Sequence, residues 1–516
     1  MTTGYGDPRR WWALAALGLA VLTLGFDITI MNVALPTIAT ELEVGTDALQ
    51  WMVNAYVLVL AGLMLTCGAL GDRYGRKRLL LMGLCLFGFS SAGAAWASSA
   101  ALVIAARGVM GLGAAIMMPV AFAVLAALFG PTERGKAVSL LVMGLGIGIP
   151  LGPIIGGYLL EHFRWGSIFL INVPIAIIGA VAIALLHPES RDPLPRRPDV
   201  MGAVLSTAGL ISLVYGVIEA PGQGWSDPVT IGAISAGLVV LAGFVAWELR
   251  VRDPMIDLHL FTRPQFLWAS IAGVLVTFGM LGLLFVVPQY LQFVAGHDAL
   301  GTGIRLLPLI GGLVVGAPAG ERLAARAGYK VPVSAGLVVL AAGVAIGALT
   351  DLESSYGFVA AWLATAGLGI GLALAPAMDA VLDALSTEQV GAGTAITMTL
   401  RETGGALGVA MLGSLLAGGY ADRVNTAGLP AEAAPAARES IAGAIAAAAR
   451  LDEPALAASA SAAYQHGMSL VLIATAITAG LSALFTGLLL PGNPNAGSDH
   501  DRRSPEATTF PEEEGH

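Results

Sequence analysis

The chain has 516 residues, of which 56% are hydrophobic and only 12% charged, with a formal net charge of −9 and a mean hydropathy of +0.79. Soluble domains carry about 25% charged residues. These figures exclude a water-soluble globule, and equally a disordered chain, a collagen or a coiled coil, and leave an integral membrane protein, all-α by the continuity of its apolar runs.

A bilayer core about 30 Å thick takes about 20 apolar residues per helix. Stretches of that kind fall at 11–37, 48–70, 78–98, 101–129, 136–160, 165–187, 200–220, 229–248, 265–292, 301–320, 331–350, 356–383, 389–418 and 466–490, fourteen in all. The runs are continuous rather than alternating, which predicts helices and not barrel strands. The first is read as a retained helix rather than a cleaved signal, because it is long and holds Asp27 and Asn32. The break at 419–464 is Ala-rich; its apolar run 441–449 is too short to cross and is read as a surface helix over the outer face. The tail 491–516, with Glu512, Glu513 and Glu514, reads as disordered and cytoplasmic.

Fourteen crossings with the N-terminus inside place nineteen of the 26 Lys and Arg in inner segments and four in outer ones. That bias sets both termini on the cytoplasmic side of the membrane. The net charge of −9 is therefore the sum of a base-poor outer face, a near-neutral inner face and a balanced interior.

Two cysteines, Cys67 and Cys85, lie in apolar runs and offer no disulfide framework, and no Cys/His cluster has metal-ligand spacing. The seven histidines are scattered and read as ordinary surface or loop residues. The string GPTERGKA (130–137) nearly fits a phosphate-cradling loop, but Ala137 stands where a hydroxyl is needed and no strand precedes it. It reads as a short cytoplasmic turn, so neither nucleotide nor other cofactor is expected, and no nucleic-acid partner. A membrane receptor or enzyme would need a sensor domain or a catalytic constellation, and neither is visible.

Ionisable side chains cost about 2.5–3.5 kcal/mol each at membrane depth and persist where a cavity or partner receives them. Here they are Asp27, Arg107, Arg305, Asp379, Arg401 and Glu402, three acids and three bases. Asp27 is the first candidate for coupling, since a carboxylate in a poorly hydrated cavity can take up a proton near neutral pH; the rival is a packing hydrogen bond. Arg107, some seven residues into span 4, either stabilises that carboxylate in one conformation or snorkels outward. Asp379 pairs at i, i+4 with Asp383 and is either a second protonation site or a structural or gate residue. The role of Arg401, some 100° around the helix from Glu402, stays open.

Two glycine patterns stand out. In GALGDRYGRKR (68–78), Gly68, Gly71 and Gly75 permit a tight turn and close helix approach. There Asp72 can cap a helix or pair with an arginine, and Arg73, Arg76, Lys77 and Arg78 anchor the loop. In span 5, Gly144, Gly148, Gly152 and Gly156 recur every four residues on one helix face, where small residues let two helices touch backbone to backbone. Pro150 and Pro153 bend that helix.

The residues 68–78 resemble the loop signature G-x-L-x-D-R-x-G-R-K-x of the major facilitator superfamily. FDITIMNVALP (26–36) resembles the first-helix signature of that superfamily's drug:proton antiporters, with Phe26 for the usual Leu. RGVMGLGAA (107–115) is similar to the family's span-4 motif, with Met110 in place of a common Gln. Gly148 to Gly157, with Gly152, Pro153 and Gly156, resembles the antiporter signature, which goes with exporters. FRWGSIFLINVPI (163–175), PQYLQ (288–292), RLLP (305–308) and RETGGALGVA (401–410) are similar to strings of the fourteen-spanner subfamily.

The resemblance implies a major facilitator fold of 6 + 2 + 6 helices. A cytoplasmic N-terminus would occupy 1–10, a first bundle 11–187, and a linker with two extra helices 188–249. A second bundle, with the outer loop, would occupy 250–490, followed by the tail. It further implies a monomer in the cytoplasmic membrane that drives small, lipophilic molecules outward by inward proton flow, through alternating access. A dedicated exporter of one metabolite shares the same motifs.

Overall fold

The computed structural model describes residues 9–129, 131–187, 189–191, 198–252, 254–385 and 390–491. The expectations for 1–8 and for the tail from 492 onward lie outside them.

All regular structure among the described residues is helical. The first half comprises α1 (Arg9–Glu41), α2 (Thr46–Tyr74), α3 (Arg76–Ala95), α4 (Ala100–Leu128), α5 (Pro131–His162), α6 (Ser167–Leu170) and α7 (Asn172–Leu186). Next come α8 (Val200–Gln223) and α9 (Pro228–Glu248). The second half holds α10 (Pro264–Gln289), α11 (Ala299–Arg305), α12 (Leu307–Ala327), α13 (Lys330–Gly347), α14 (Tyr356–Asp383), α15 (Val390–Ala421), α16 (Ala434–Glu439), α17 (Ile441–Leu451) and α18 (Pro454–Leu489).

Helix starts follow the side chains that satisfy free backbone N–H groups. Ser99 accepts from Leu102 N–H, Asp199 from Gly202, Asp298 from Gly301, Ser355 from Phe358 and Ser440 from Gly443. Two crossings are interrupted by one residue. Ile171 separates α6 from α7 and Leu306 separates α11 from α12, yet both keep right-handed helical dihedrals. Pro174 and Pro308 follow within three residues; each lacks the N–H that would continue the ladder. The near-match to a phosphate loop is not a turn: residues 131–137 open α5, with Pro131 first and Glu133 in the first turn. Glu133 pairs with Arg10 at 2.8 Å.

Thirteen helices among the described residues are long and apolar enough to cross a membrane. The 32-residue α5, not among them, contains the predicted span 136–160.

In the first half α1 packs on α5 and α7, α2 on α4, and α3 on α4 and α7. In the second, α10 packs on α15 and α14, and α14 on α12 and α13. The pair α8–α9 leans through α8 on both α2 and α15. Contacts between halves gather at the end where α1 passes into α2, the face that the lysine and arginine bias assigns to the outside. Gln292 donates to the Val33 carbonyl at 3.0 Å. A Cβ on Gly413 would meet Gln50 Cδ at 2.7 Å, and one on Gly157 would meet Leu300 Cα at 2.6 Å.

Residues 422–453 carry α16 and α17, which dock on this same end. Tyr420 donates to the carbonyls of Ala437 (2.8 Å) and Ser440 (3.1 Å), and α17 buries Ile441, Ala444 and Ala448. The Glu439 side chain folds against Gly45 in the α1–α2 turn. Burial, then the neighbouring Asp47 carboxyl, push Glu439 above its ordinary value of 4.5. A carboxyl whose folded-state pKa is raised adds stability below its ordinary value and loses it as pH rises through the shifted one. The docking of 422–453 is therefore expected to be firmest at acidic pH and to loosen as pH rises. Amide hydrogen exchange across this segment at several pH values checks it, and Glu439→Gln should flatten the dependence.

Candidate functional site

Asp27 stands near the middle of α1 and Arg107 some seven residues into α4; both are 1% exposed. The Arg107 Nη1 group donates to Asp27 Oδ2 in a buried ion pair. The snorkelling alternative for Arg107 is thereby overturned: a buried carboxylate, not the membrane surface, receives its charge. Arg107 Nε donates to the Met52 carbonyl at 3.0 Å, and the guanidinium lies over the Tyr56 ring, 4.4 Å from its centroid. An arginine with an anion, a carbonyl and an aromatic face has most of its charge met without water.

Sequence reasoning missed the other ligand of the carboxylate. Asn172, at the start of α7 and 0% exposed, donates through Nδ2 to Asp27 Oδ1 at 3.2 Å and to Ser91 Oγ at 3.1 Å. Ser91 in turn donates to the Phe169 carbonyl at 2.9 Å. Asn172 lies inside the string at 163–175, and a lone amide in an apolar crossing was the available signal.

Asn32 lies beyond Asp27 on α1. Its Nδ2 donates to the Ile28 carbonyl at 2.7 Å, while its buried Oδ1 has no hydrogen-bond partner. The span-5 glycines press on the segment of α1 that carries Asp27. A Cβ at Gly148 would meet Leu22 O at 2.6 Å and Phe26 N at 2.7 Å; one at Gly152 would meet Ile30 N at 3.0 Å; Gly156 faces Ile30. Gly157, beside Pro153, faces α11 instead.

The remaining predicted residues lie elsewhere. Arg401 Nε donates to Thr277 Oγ1 at 3.3 Å, joining α15 to α10. Glu402 reaches toward the other half, within electrostatic range of Tyr56. Asp379 is half-buried on α14 with Asp383 and the α12 residue Glu321 as its acidic neighbours, apart from Asp27. Asp383 accepts from the Tyr329 hydroxyl.

The loop motif forms a compact turn. Gly75 has φ +119°, a conformation that favours glycine, and lets Arg76 fold back on Asp72 at 2.8 Å. A Cβ on Gly68 would meet Pro119 at 3.3 Å, and one on Gly71 would meet Val120 at 2.8 Å, so α2 closes on α4. Lys77 Nζ donates to the Ala184 carbonyl at 2.6 Å, tying the turn to α7, and Arg73 lies over the Tyr74 ring. His187, just past α7, is no surface histidine: it is buried with Nε2 3.1 Å from the Ala13 carbonyl, and burial lowers its pKa to about 4, leaving it neutral. Cys67 and Cys85 are both free.

Two helical bundles joined by an extra pair, with a buried acid–base pair in one of them, define a polytopic membrane carrier. The chain belongs to the Major Facilitator Superfamily, whose sequence profile matches residues 17–409. It is 36% identical over 490 residues to the multidrug efflux pump LfrA of Mycolicibacterium smegmatis, covering 93% of this chain and 96% of that one. It is 32% identical over 415 residues to the tetracenomycin C resistance and export protein of Streptomyces glaucescens, covering 80% and 77%. Its fold is similar to that of a bacterial homologue of the human lysosomal transporter Spinster, solved inward-facing and unoccupied. There the TM-score is 0.66 and the identity 18%, over 95% of this chain and 100% of that one.

Proposed function

We propose that this protein is a proton-coupled exporter of small lipophilic molecules, drugs and antibiotics among them, across the cytoplasmic membrane. The observation that carries the proposal is the Asp27–Arg107 pair, sealed inside the first bundle against the glycine seam of α5. While the pair is made, Asp27 is charged and Arg107 is neutralised. A proton on Asp27 removes the attraction and leaves Arg107 with only the Met52 carbonyl and the Tyr56 ring. Breaking a buried pair costs about 3–5 kcal/mol. That cost is relieved when α1 and α4 move apart, so protonation favours another arrangement of the bundles.

Fourteen crossings, both termini in the cytoplasm, a monomer, and the proton gradient as sole energy source complete the reading. The names of the relatives, an efflux pump and a resistance and export protein, support it. The second of those names favours one narrower reading, an exporter dedicated to a single metabolite.

Inverted membrane vesicles with an imposed proton gradient test both. Several unrelated dyes and antibiotics are expected to trigger proton release and to accumulate only while the gradient lasts. A response to one compound alone supports the narrower reading, and accumulation indifferent to the gradient overturns proton coupling.

A further inference from the structure

Asn172 offers more than a packing contact, and its second role rests on Asp27 being the proton carrier. Its Nδ2 spends both hydrogens on one side, on Asp27 Oδ1 (3.2 Å) and Ser91 Oγ (3.1 Å). Its Oδ1, on the other side, is buried and has no hydrogen-bond partner. An amide bonded at both ends is locked; this one is held at one end only. A half-turn about its Cβ–Cγ bond therefore exchanges its own two bonds for two of reversed polarity, and costs besides the bond from Ser91 to the Phe169 carbonyl. Amides and hydroxyls can do this because each carries both donor and acceptor.

We propose that Asn172 is a positioning residue that holds the Asp27 carboxyl in both protonation states, with Ser91 as its partner. With Asp27 ionised, Nδ2 donates to Oδ1 of the carboxylate, as observed. When a proton arrives on that oxygen, two donors face each other across 3.2 Å and the contact turns repulsive. The amide then turns, and Asn172 Oδ1 takes the place of Nδ2 and accepts from the new Asp27 O–H. Ser91 swings its hydroxyl hydrogen from the Phe169 carbonyl to the same Oδ1. No bond other than hydrogen bonds changes, and the only proton gained is the one on Asp27.

The consequence is orientation. The carboxyl plane is kept in place when Arg107 lets go, so a proton loaded in one arrangement of the bundles leaves from the same atom in the other. The charged and titratable groups facing Asp27 are Arg107 from α4 and Tyr56 from α2, with Glu402 of α15 in electrostatic reach of Tyr56. The α5 face that meets this part of α1 is glycine.

Infrared difference spectra of the full chain in lipid, recorded between alkaline and acidic pH, test the proposal. A carboxylic C=O band that Asp27→Asn removes reports the carrier. An amide C=O band is expected in the same difference spectrum, lost in Asn172→Leu, and the Asp27 band should shift in both Asn172→Leu and Ser91→Ala. The serine variant removes one oxygen and keeps the test available if the leucine variant does not fold. An Asp27 band that neither substitution shifts, with no amide band beside it, overturns the proposal, because an asparagine that only packs does not change its bonding with pH. Absence of any Asp27 band from the unmodified protein overturns the proton-carrier reading beneath it.

Discussion

Asp27→Asn is expected to abolish substrate-evoked proton release in inverted vesicles, down to the level of vesicles without the protein, while the chain still reaches the membrane. The substitution keeps the shape of the side chain and its reach to Asn172, but an amide neither ionises nor carries a transported proton. It also leaves Arg107 buried beside a neutral group, and removing one partner of a buried pair costs about 3–5 kcal/mol. Loss of exchange and loss of folding must therefore be separated. The double variant Asp27→Asn/Arg107→Leu removes the stranded cation and should recover thermal stability without recovering exchange. Undiminished proton release in the single variant would sink the assignment of Asp27. Failure of the double variant to recover stability would show that Arg107 matters through its contacts with Met52 and Tyr56 rather than through its charge.

The second large effect is expected at the seam of α1 and α5. At Gly148 a Cβ would lie 2.6 Å from Leu22 O and 2.7 Å from Phe26 N, and both are backbone atoms that cannot turn aside. Overpacking of this kind costs about 1–3 kcal/mol. Gly148→Ala should lower the melting temperature of the purified protein by several degrees and reduce transport with it. The control is built into the same bundle: at Gly18 on α1 and Gly108 on α4, a Cβ would meet nothing within 4 Å. Alanine there should leave both measurements unchanged. Equal effects at Gly148 and Gly18 would mean that helix propensity, not contact, sets the outcome.

The two expectations concern one helix from opposite sides. Glycines hold α1 against α5, while Asp27 holds it to α4 and α7. A change in the protonation of Asp27 alters one attachment and leaves the other, which is the condition for a packed pair to move as a unit.

Much of this was legible in the sequence because the bilayer makes the code coarse. Continuous apolar runs give the crossings, since every backbone polar group must be satisfied within the segment. Asp27 and Arg107 were legible for a related reason: charge is so costly at depth that its presence alone marks a partner. Their pairing was not, because eighty positions separate them and only the packing of α1 on α4 brings them together. Asn172 escaped because a neutral amide carries little of that cost and so raises little alarm. Arg401 and Asp379 announce themselves by charge in the same way, and what the sequence left open was their surroundings: the one joins α15 to α10 and the other sits among acids on α14. The start of α5 was misread for a local reason: GPTERGKA, weighed against a phosphate loop, reads as a turn between spans, whereas Pro131 and Glu133 suit the opening of a helix.

The interlocked end where α1 meets α2 bears on pharmacology. Gln292 on Val33, Gly157 on Leu300 and Glu439 on Gly45 seal that face, while Asp27 lies deep within the first bundle. A blocker applied from that side would meet these contacts before it met Asp27. It can act by wedging the sealed face and trapping the carrier, and its inhibition would then be insensitive to the concentration of the exported compound.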